Sequence, residues 1–331
     1  MAFIPAVHCA ISRRQCIAWM TALGAPGALM AQADFPRQTV RLVLPYPAGG
    51  GIDAVGRPLA EQLGQRLGQS VVVDNRGGAN GAIGMEAVAK SPPDGHTIVL
   101  ALDAQFAINP TIYKSLPYDP QKDFAPITLI GTVPYILATN PQSGIKSVAD
   151  LLELSRKSSQ KLNYASSGVG SGAHMAAALL ESMAKVSMTH IPNKSTTSSM
   201  RDVAENDCQI VFVTYGAAKP LFDAGKLIPI GVTGSKRMAL LPSVPTVGET
   251  VPGFETGAAY GLFAPAATPP RVIDRLFAEV QQVIQSAAYQ QRISSVGVEV
   301  VGLAPAAFAA HITKDLAKWK SIVSEKGISA N

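Results

Sequence analysis

Cysteine is scarce in this chain, with three residues among 331. Cys9 and Cys16 fall within the first 33 residues, so Cys208 stands alone in the remainder. A single thiol excludes an intramolecular disulfide and a cysteine-based metal site there. It precedes the apolar run Ile210–Val213, where a buried, inert thiol is expected. Long hydrophobic runs are also missing. Beyond the N-terminus no uninterrupted apolar stretch reaches the ~20 residues of a membrane span, which predicts a soluble mature protein. Charged residues make up 15% of the chain, and the absence of a Lys/Arg run argues against nucleic acid as a partner. His96, His190 and His311 lack the spacing of a metal site. The Ser-rich segment at 166–171 is not a hydrolase elbow, and the glycine-rich segment 75–84 is neither a dinucleotide fingerprint nor a P-loop. No catalytic residue, cofactor or metal is assigned.

The N-terminus reads as an export segment. Arg13 and Arg14 precede the mostly apolar Ile17–Met30, and Ala31-Gln32-Ala33 is a small-x-small cleavage site; maturation before Asp34 and a periplasmic location follow. A core helix is the alternative reading, and Gly24, Pro26 and Gly27 interrupt it. The arginine pair also resembles a twin-arginine signal, with Cys16 where an aromatic or Leu is usual, so the export route stays open. Removing residues 1–33 leaves 298, enough for two domains with separate cores. The 28 Lys+Arg less those two arginines leave 26 against 23 acids, a net +3, a modest field that favours anionic ligands.

The most informative segment is VRLVLPYPAGGGIDAVGR at Val40–Arg57. A short apolar strand runs into a glycine-rich turn and then a helix with Asp53 near its start. Backbone N–H groups and the helix dipole favour an anion at such a place; an ordinary tight strand-to-helix turn is the alternative. Asp53 has three possible roles: contact with a ligand ammonium or hydroxyl, capping of its own helix, or a local pair with Arg57. A second strand-to-helix turn follows at Ser166–Gly172. Its hydroxyls and N–H groups suit the opposite half of a clamp, while N-capping by Ser171 is the simpler role. His174 is a polar contact or a structural residue at that helix start.

Apolar runs alternate with amphipathic stretches. Strands are expected at 41–44, 70–73 and 97–102, with helices over 54–67 and 85–90; this order implies a mainly parallel sheet with helices on its faces. The extended segment 127–140 is a candidate crossing to a second unit. That unit has helices over 148–158, 173–184, 197–205 and 217–224, and strands over 161–165, 187–191, 209–213 and 227–233. Ala258–Ala264 is a candidate return crossing, and helices over 271–286 and 305–325 would complete the first unit.

Five segments carry a family resemblance: LVLPYPAGGGIDAVGR (42–57), VVVDNRGGANGAIG (71–84), INPTIYKSLPYDPQKDFAPITLIG (108–131), SSGVGSGAH (166–174) and LPSVPTVGETVPGFE (241–255). In this order they resemble the periplasmic substrate-binding proteins of the tripartite tricarboxylate transporter, or Bug, family over essentially all of 35–331. The resemblance implies an α/β, two-lobed type II periplasmic-binding-protein fold, each lobe a mainly parallel sheet flanked by helices, joined by two crossing segments. It places lobe 1 at 34–134 plus 256–331 and lobe 2 at 135–255. It implies capture of a small organic carboxylate (a tricarboxylate, dicarboxylate, amino acid or aromatic acid) by hinge closure, and delivery by a monomer to the membrane subunits of a tripartite tricarboxylate transporter. A sensory receptor and, less well supported by the residues, an exported enzyme are the alternatives. The implied ligand-binding set is Tyr46, Pro47, Ala48, Gly49, Gly50 and Asp53 from one lobe, with Ser166, Ser167, Gly170, Ser171 and His174 from the other; Gln105 and Asn193 are further ligand-binding candidates. Three departures stand out. Pro192-Asn193-Lys194-Ser195-Thr196 replaces the usual Pro-Tyr-Lys-Gly-Gly, Gln209 replaces an acid, and Tyr260 stands where Trp is common.

Overall fold

The computed structural model describes residues 35–157 and 161–330. The export segment 1–33 and the Ser158 end of an expected helix lie outside the described residues.

Two sheets organise the chain. The first contains β1 (Val40–Leu44), β2 (Val71–Asn75), β3 (Thr97–Leu102), β4 (Phe124–Pro134), β10 (Gly257–Pro265) and β11 (Glu299–Leu303), in the order β11-β4-β10-β3-β1-β2. The second contains β5 (Ile136–Thr139), β6 (Asn163–Ser166), β7 (Thr189–Pro192), β8 (Ile210–Val213) and β9 (Ile228–Val232), in the order β7-β6-β8-β5-β9. The strands read as unbroken apolar runs because both faces are covered. Along β1, Val40, Leu42 and Leu44 join one core cluster and Val43 another, as the two-residue period requires.

Each sheet is mixed. β2, β1 and β3 are parallel, as are β7, β6 and β8. The strands next to the crossings are antiparallel: β10 lies between β3 and β4, and β5 between β8 and β9. The βαβ pattern accounts for the parallel parts. A strand that returns from the other unit enters from the opposite direction, so it pairs antiparallel.

The expected crossing at 127–140 divides at Tyr135 into β4 and β5, one in each sheet. The return occurs before β10, not within it. Thr233 joins the two crossings: its N–H donates to Tyr135 O (2.9 Å), its Oγ1 accepts from Tyr135 N–H (2.7 Å) and donates to Thr256 O (2.6 Å), and Thr256 N–H donates to Thr233 O (3.0 Å).

The helices are α1 (Gly51–Leu67), α2 (Ala82–Ala89), α3 (Asn109–Ile112), α4 (Val148–Lys157), α5 (Gly172–Ala184), α6 (Thr196–Ala204), α7 (Tyr215–Asp223), α8 (Pro270–Ile284), α9 (Ala287–Ser294) and α10 (Pro305–Lys326). α1 begins three residues before the expected Ala54, capped by Gly50, and ends at Gly68 in the left-handed conformation (φ 67°) that glycine adopts without strain. α10 does more than complete the first unit. Phe308 packs with Phe263 under the first sheet. Trp319, Ile322 and Val323 join the second unit's core beside Leu179, and Ser182 Oγ donates to Glu325 Oε2 at 2.5 Å.

Candidate functional site

The turn between β1 and α1 is exposed from Pro47 to Gly51. Gly49 has φ +88°, which a glycine provides at little cost. The first N–H groups of α1 have no acceptors within the helix and carry the positive end of its dipole. Asp53, third in the helix, is buried and faces back into the turn. Its Oδ2 accepts from Gly49 N–H (2.6 Å) and from Arg57 (3.2 Å), and its Oδ1 accepts from Asn75 Nδ2 (2.9 Å). Asn75 Nδ2 also donates to Tyr46 O (3.1 Å), and Asn75 Oδ1 accepts from Arg57 (3.0 Å). Burial pushes the Asp53 pKa upward, but bonds from Asn75 and Gly49 and the charge of Arg57 outweigh it and hold the carboxyl below its ordinary range. Of the three possible roles the Arg57 pair is present. The carboxylate holds the turn through Gly49, one residue ahead of the helix cap, rather than through the helix's own N–H groups.

Tyr46 is anchored from β3's end. Gln105 lies fully buried in a π-helical turn at Ala104–Ile108. Its Oε1 accepts from Leu102 N–H (2.9 Å), and its Nε2 donates to Tyr46 Oη (2.8 Å) and Asn80 O (2.9 Å). All three polar contacts are internal, so Gln105 positions Tyr46. Desolvation leads the rise of the Tyr46 pKa to about 12, so its phenol stays protonated.

Sequence reasoning missed Asn80 and Asn109. Asn80 takes φ 48°, ψ 40°, a left-handed conformation uncommon outside glycine. Its Nδ2 donates to Asn109 Oδ1 (2.7 Å), and Asn109 Nδ2 donates to Asn80 O (3.2 Å). Tyr118 Oη closes the network by donating to Gln105 O (2.8 Å). The only trace of these roles in the sequence was the glycine-rich composition of 75–84. Asp103, also missed, sits half-buried beside the π turn. Burial, then the charge of Asp315, raises its pKa to about 7.

From the second unit, the Ser166–Gly172 loop approaches the first. A side chain on Gly170 (φ +76°) would collide with Ile112 of α3, so this loop packs directly on the first unit. Ser166 is fully buried. Its Oγ accepts from Gly168 N–H (3.1 Å) and lies 2.6 Å from His190 Nε2. Ser167 is half-buried in the loop, and Ser171 caps α5 by accepting from His174 N–H (3.3 Å). His174 is structural in its contacts: Nδ1 accepts from Gly170 N–H (3.1 Å), and the ring stacks on His190 with centroids 3.9 Å apart. Burial, aided by His190, lowers the His174 pKa to about 3; burial lowers that of His190 to about 4. Both rings are neutral at pH 7. Asn193 turns away, donating from Nδ2 to Asp202 on α6 (2.7 Å). Cys208 is buried, and desolvation raises its thiol pKa to about 11.

Residues 55–328 match the family described as the tripartite tricarboxylate transporter family receptor. The chain is 32% identical over 325 residues to the UPF0065 protein in the tcbD-tcbE intergenic region of Pseudomonas sp. strain P51, covering 97% of this chain and 96% of that one. Among solved structures it is similar to Rpa4515 of R. palustris, solved with adipate, at 34% identity and TM-score 0.81, covering 89% of this chain and 99% of that one. It is similar also to MatC of Rhodopseudomonas palustris, solved with malate, at 29% identity and TM-score 0.77, covering 87% and 100%. The chain therefore belongs to the tripartite tricarboxylate transporter family of periplasmic receptors, two-lobed binding proteins that capture a solute and pass it to a membrane transporter.

Proposed function

We propose that this receptor captures a small organic carboxylate between its lobes, with one carboxylate seated on the N-terminus of α1. The observation that carries this reading is the exposed turn Pro47–Gly51, its glycine backbone open to a ligand while Asp53, the nearest acid, is turned inward and paired. An anion there meets the N–H groups of Gly51 and Ile52 and the helix dipole, with the Asp53 carboxylate turned away and paired. Tyr46, Pro47, Ala48, Gly49 and Gly50 form this side. Ser167, Gly170 and Ser171 face it from the second lobe, with Ser166 and His174 fixing their loop. Asp53, Gln105 and Asn193 act by holding segments in place. The lobes divide at Tyr135 and Thr256, giving 34–134 plus 256–331 and 135–255. The receptor works as a periplasmic monomer exported by its N-terminal segment, and it delivers the acid to the membrane subunits of a tripartite tricarboxylate transporter. The adipate and malate carried by two similar structures are the natural first probes.

A thermal-shift screen with adipate, malate, citrate, glutamate and benzoate tests this reading. An acid at about 100 times its Kd stabilises the folded state by ~2.7 kcal/mol, a readily visible shift. Gly50→Val should then weaken binding and leave the melting temperature of the free protein unchanged, because a Cβ at Gly50 meets only Pro47 O, at 3.8 Å. Unchanged calorimetric affinity in this variant refutes the seat.

A further inference from the structure

Tyr260 lies in the middle of the first sheet, opposite Leu102 of β3 and Gly131 of β4. Its side chain joins the core cluster that contains Leu44, Ile52 and Leu100, and only 4% of the residue is exposed. The phenol reaches the end of the sheet where α1 begins: a Cβ on Gly51 would lie 3.4 Å from Tyr260 Oη. Three other tyrosines in this lobe bond their hydroxyls to protein. Tyr46 Oη accepts from Gln105, Tyr118 Oη donates to Gln105 O, and Tyr289 Oη donates to Val55 O. Tyr260 Oη has no hydrogen-bond partner among the described residues, and burial of the ring, followed by the nearby Asp103, raises its pKa. Tyrosines with buried rings ordinarily find a partner for the hydroxyl, and this one is not among the fully enclosed unpaired atoms of the described residues, so the ring is buried while its hydroxyl stays open to a ligand. This hydroxyl lies at the helix terminus, where Asp53 and Ala54 N–H bond Gly50 O and the N–H groups of Gly51 and Ile52 have no acceptor among the described residues.

We propose that Tyr260 is a specificity-determining residue of this receptor, its hydroxyl donating a hydrogen bond to the carboxylate seated on the α1 N-terminus. The proposal rests on the carboxylate-receptor reading above and adds a side-chain donor to a seat otherwise made of backbone. Desolvation and the neighbouring Asp103 hold the phenol protonated, so it donates to an anion and does not repel it. A phenol bonded to a charged acceptor gives a stronger bond than one bonded to a neutral acceptor. Tyr260 therefore favours a carboxylate over the corresponding amide or alcohol.

The test measures calorimetric affinity for adipate, malate and benzoate in wild type, Tyr260→Phe and Tyr260→Met, with the melting temperature of each free protein. Phe keeps the ring and its packing. Met fills much of the same space without a hydrogen-bond donor, and it provides a second measurement should the Phe variant fold poorly. The expected result is about a tenfold or greater loss of affinity in both variants for whichever acid binds wild type, with free-protein melting unchanged. Affinity within about twofold of wild type overturns the proposal. So does a loss that merely follows a fall in free-protein melting temperature, which would assign Tyr260 to packing. If no acid binds wild type, or if Gly50→Val leaves affinity intact while Tyr260→Phe lowers it, the seat on α1 is the part that fails.

Discussion

Removing the charge of Asp53 should loosen the β1–α1 turn before it touches any ligand. The carboxylate is 6% exposed as a residue and accepts from Gly49 N–H at 2.6 Å, Asn75 Nδ2 at 2.9 Å and Arg57 at 3.2 Å. In Asp53→Asn one carboxylate oxygen becomes an NH2 group facing a donor. At least one of Gly49 N–H and Asn75 Nδ2 then loses its charged acceptor. The Arg57 side chain is 54% exposed, so its ion pair contributes only ~0–1 kcal/mol. The loss of charge-assisted bonds inside the turn dominates, and the variant should be less stable by about 2–4 kcal/mol at pH 7. The folded-state pKa of Asp53 is lowered. Its contribution is therefore present above the unfolded value of about 4 and is lost as pH falls through the folded value. Urea unfolding of wild type and Asp53→Asn between pH 7 and pH 3 tests both points. A difference below ~0.5 kcal/mol at pH 7 refutes the claim that the carboxylate holds the turn. A difference that persists undiminished at pH 3 refutes its assignment to the ionised form.

Other perturbations probe the rest of the site. The stacked His174 and His190 are neutral in the fold, with pKa values of about 3 and about 4, whereas the unfolded chain protonates near 6.5. Stability should be complete above that value and decline as pH falls toward about 4, by about 1–2 kcal/mol between pH 6.5 and 5.5. Urea midpoints report this, and His174→Gln should reduce the slope by roughly half; a flat profile contradicts neutral burial. Gln105→Leu leaves Leu102 N–H without a partner, removes one of the two donors to Asn80 O and frees Tyr46, so it should cost about 2–4 kcal/mol and lower adipate or malate affinity. A stability change below ~1 kcal/mol would show that the buried amide does not hold this network.

What could be read from the sequence is what depends on neighbouring residues. The strands at Val40–Leu44 and Thr97–Leu102 were legible because both sheet faces are covered, leaving apolar runs without alternation. The exposed turn at Gly49–Gly51 was legible because three consecutive glycines interrupt the apolar run, and Gly49 takes a φ of +88° that ordinary residues avoid. The antiparallel insertion of β10 was not: Tyr260 pairs with Leu102 only after the chain has built and left the second sheet. The role of Asp53 stayed open for a similar reason. Its choice among capping, pairing and ligand contact is decided by Asn75, which is 22 positions away and shows no periodicity linking it to α1.

The anchoring of Tyr46 was harder still to foresee. It needs Gln105 from a π-helical turn at a separation of 59 positions, and it needs Asn80 in a left-handed conformation, which is held by Asn109 at a separation of 29. Each of these segments alone resembles an ordinary loop. Together they make a satisfied polar network, and such a network is rigid only when every member is present. This explains why the exposed part of the seat is backbone and glycine while its side chains face inward. Asp53 and Asn75 fix the turn from below, and Gln105, Asn80 and Asn109 fix Tyr46 from the side. The N–H groups are held in place before any ligand arrives, so little conformational entropy remains to be lost on binding. Tyr260 stands apart from this network because its hydroxyl has no protein partner among the described residues, and its substitution therefore tests whether this turn seats an anion or is merely well packed.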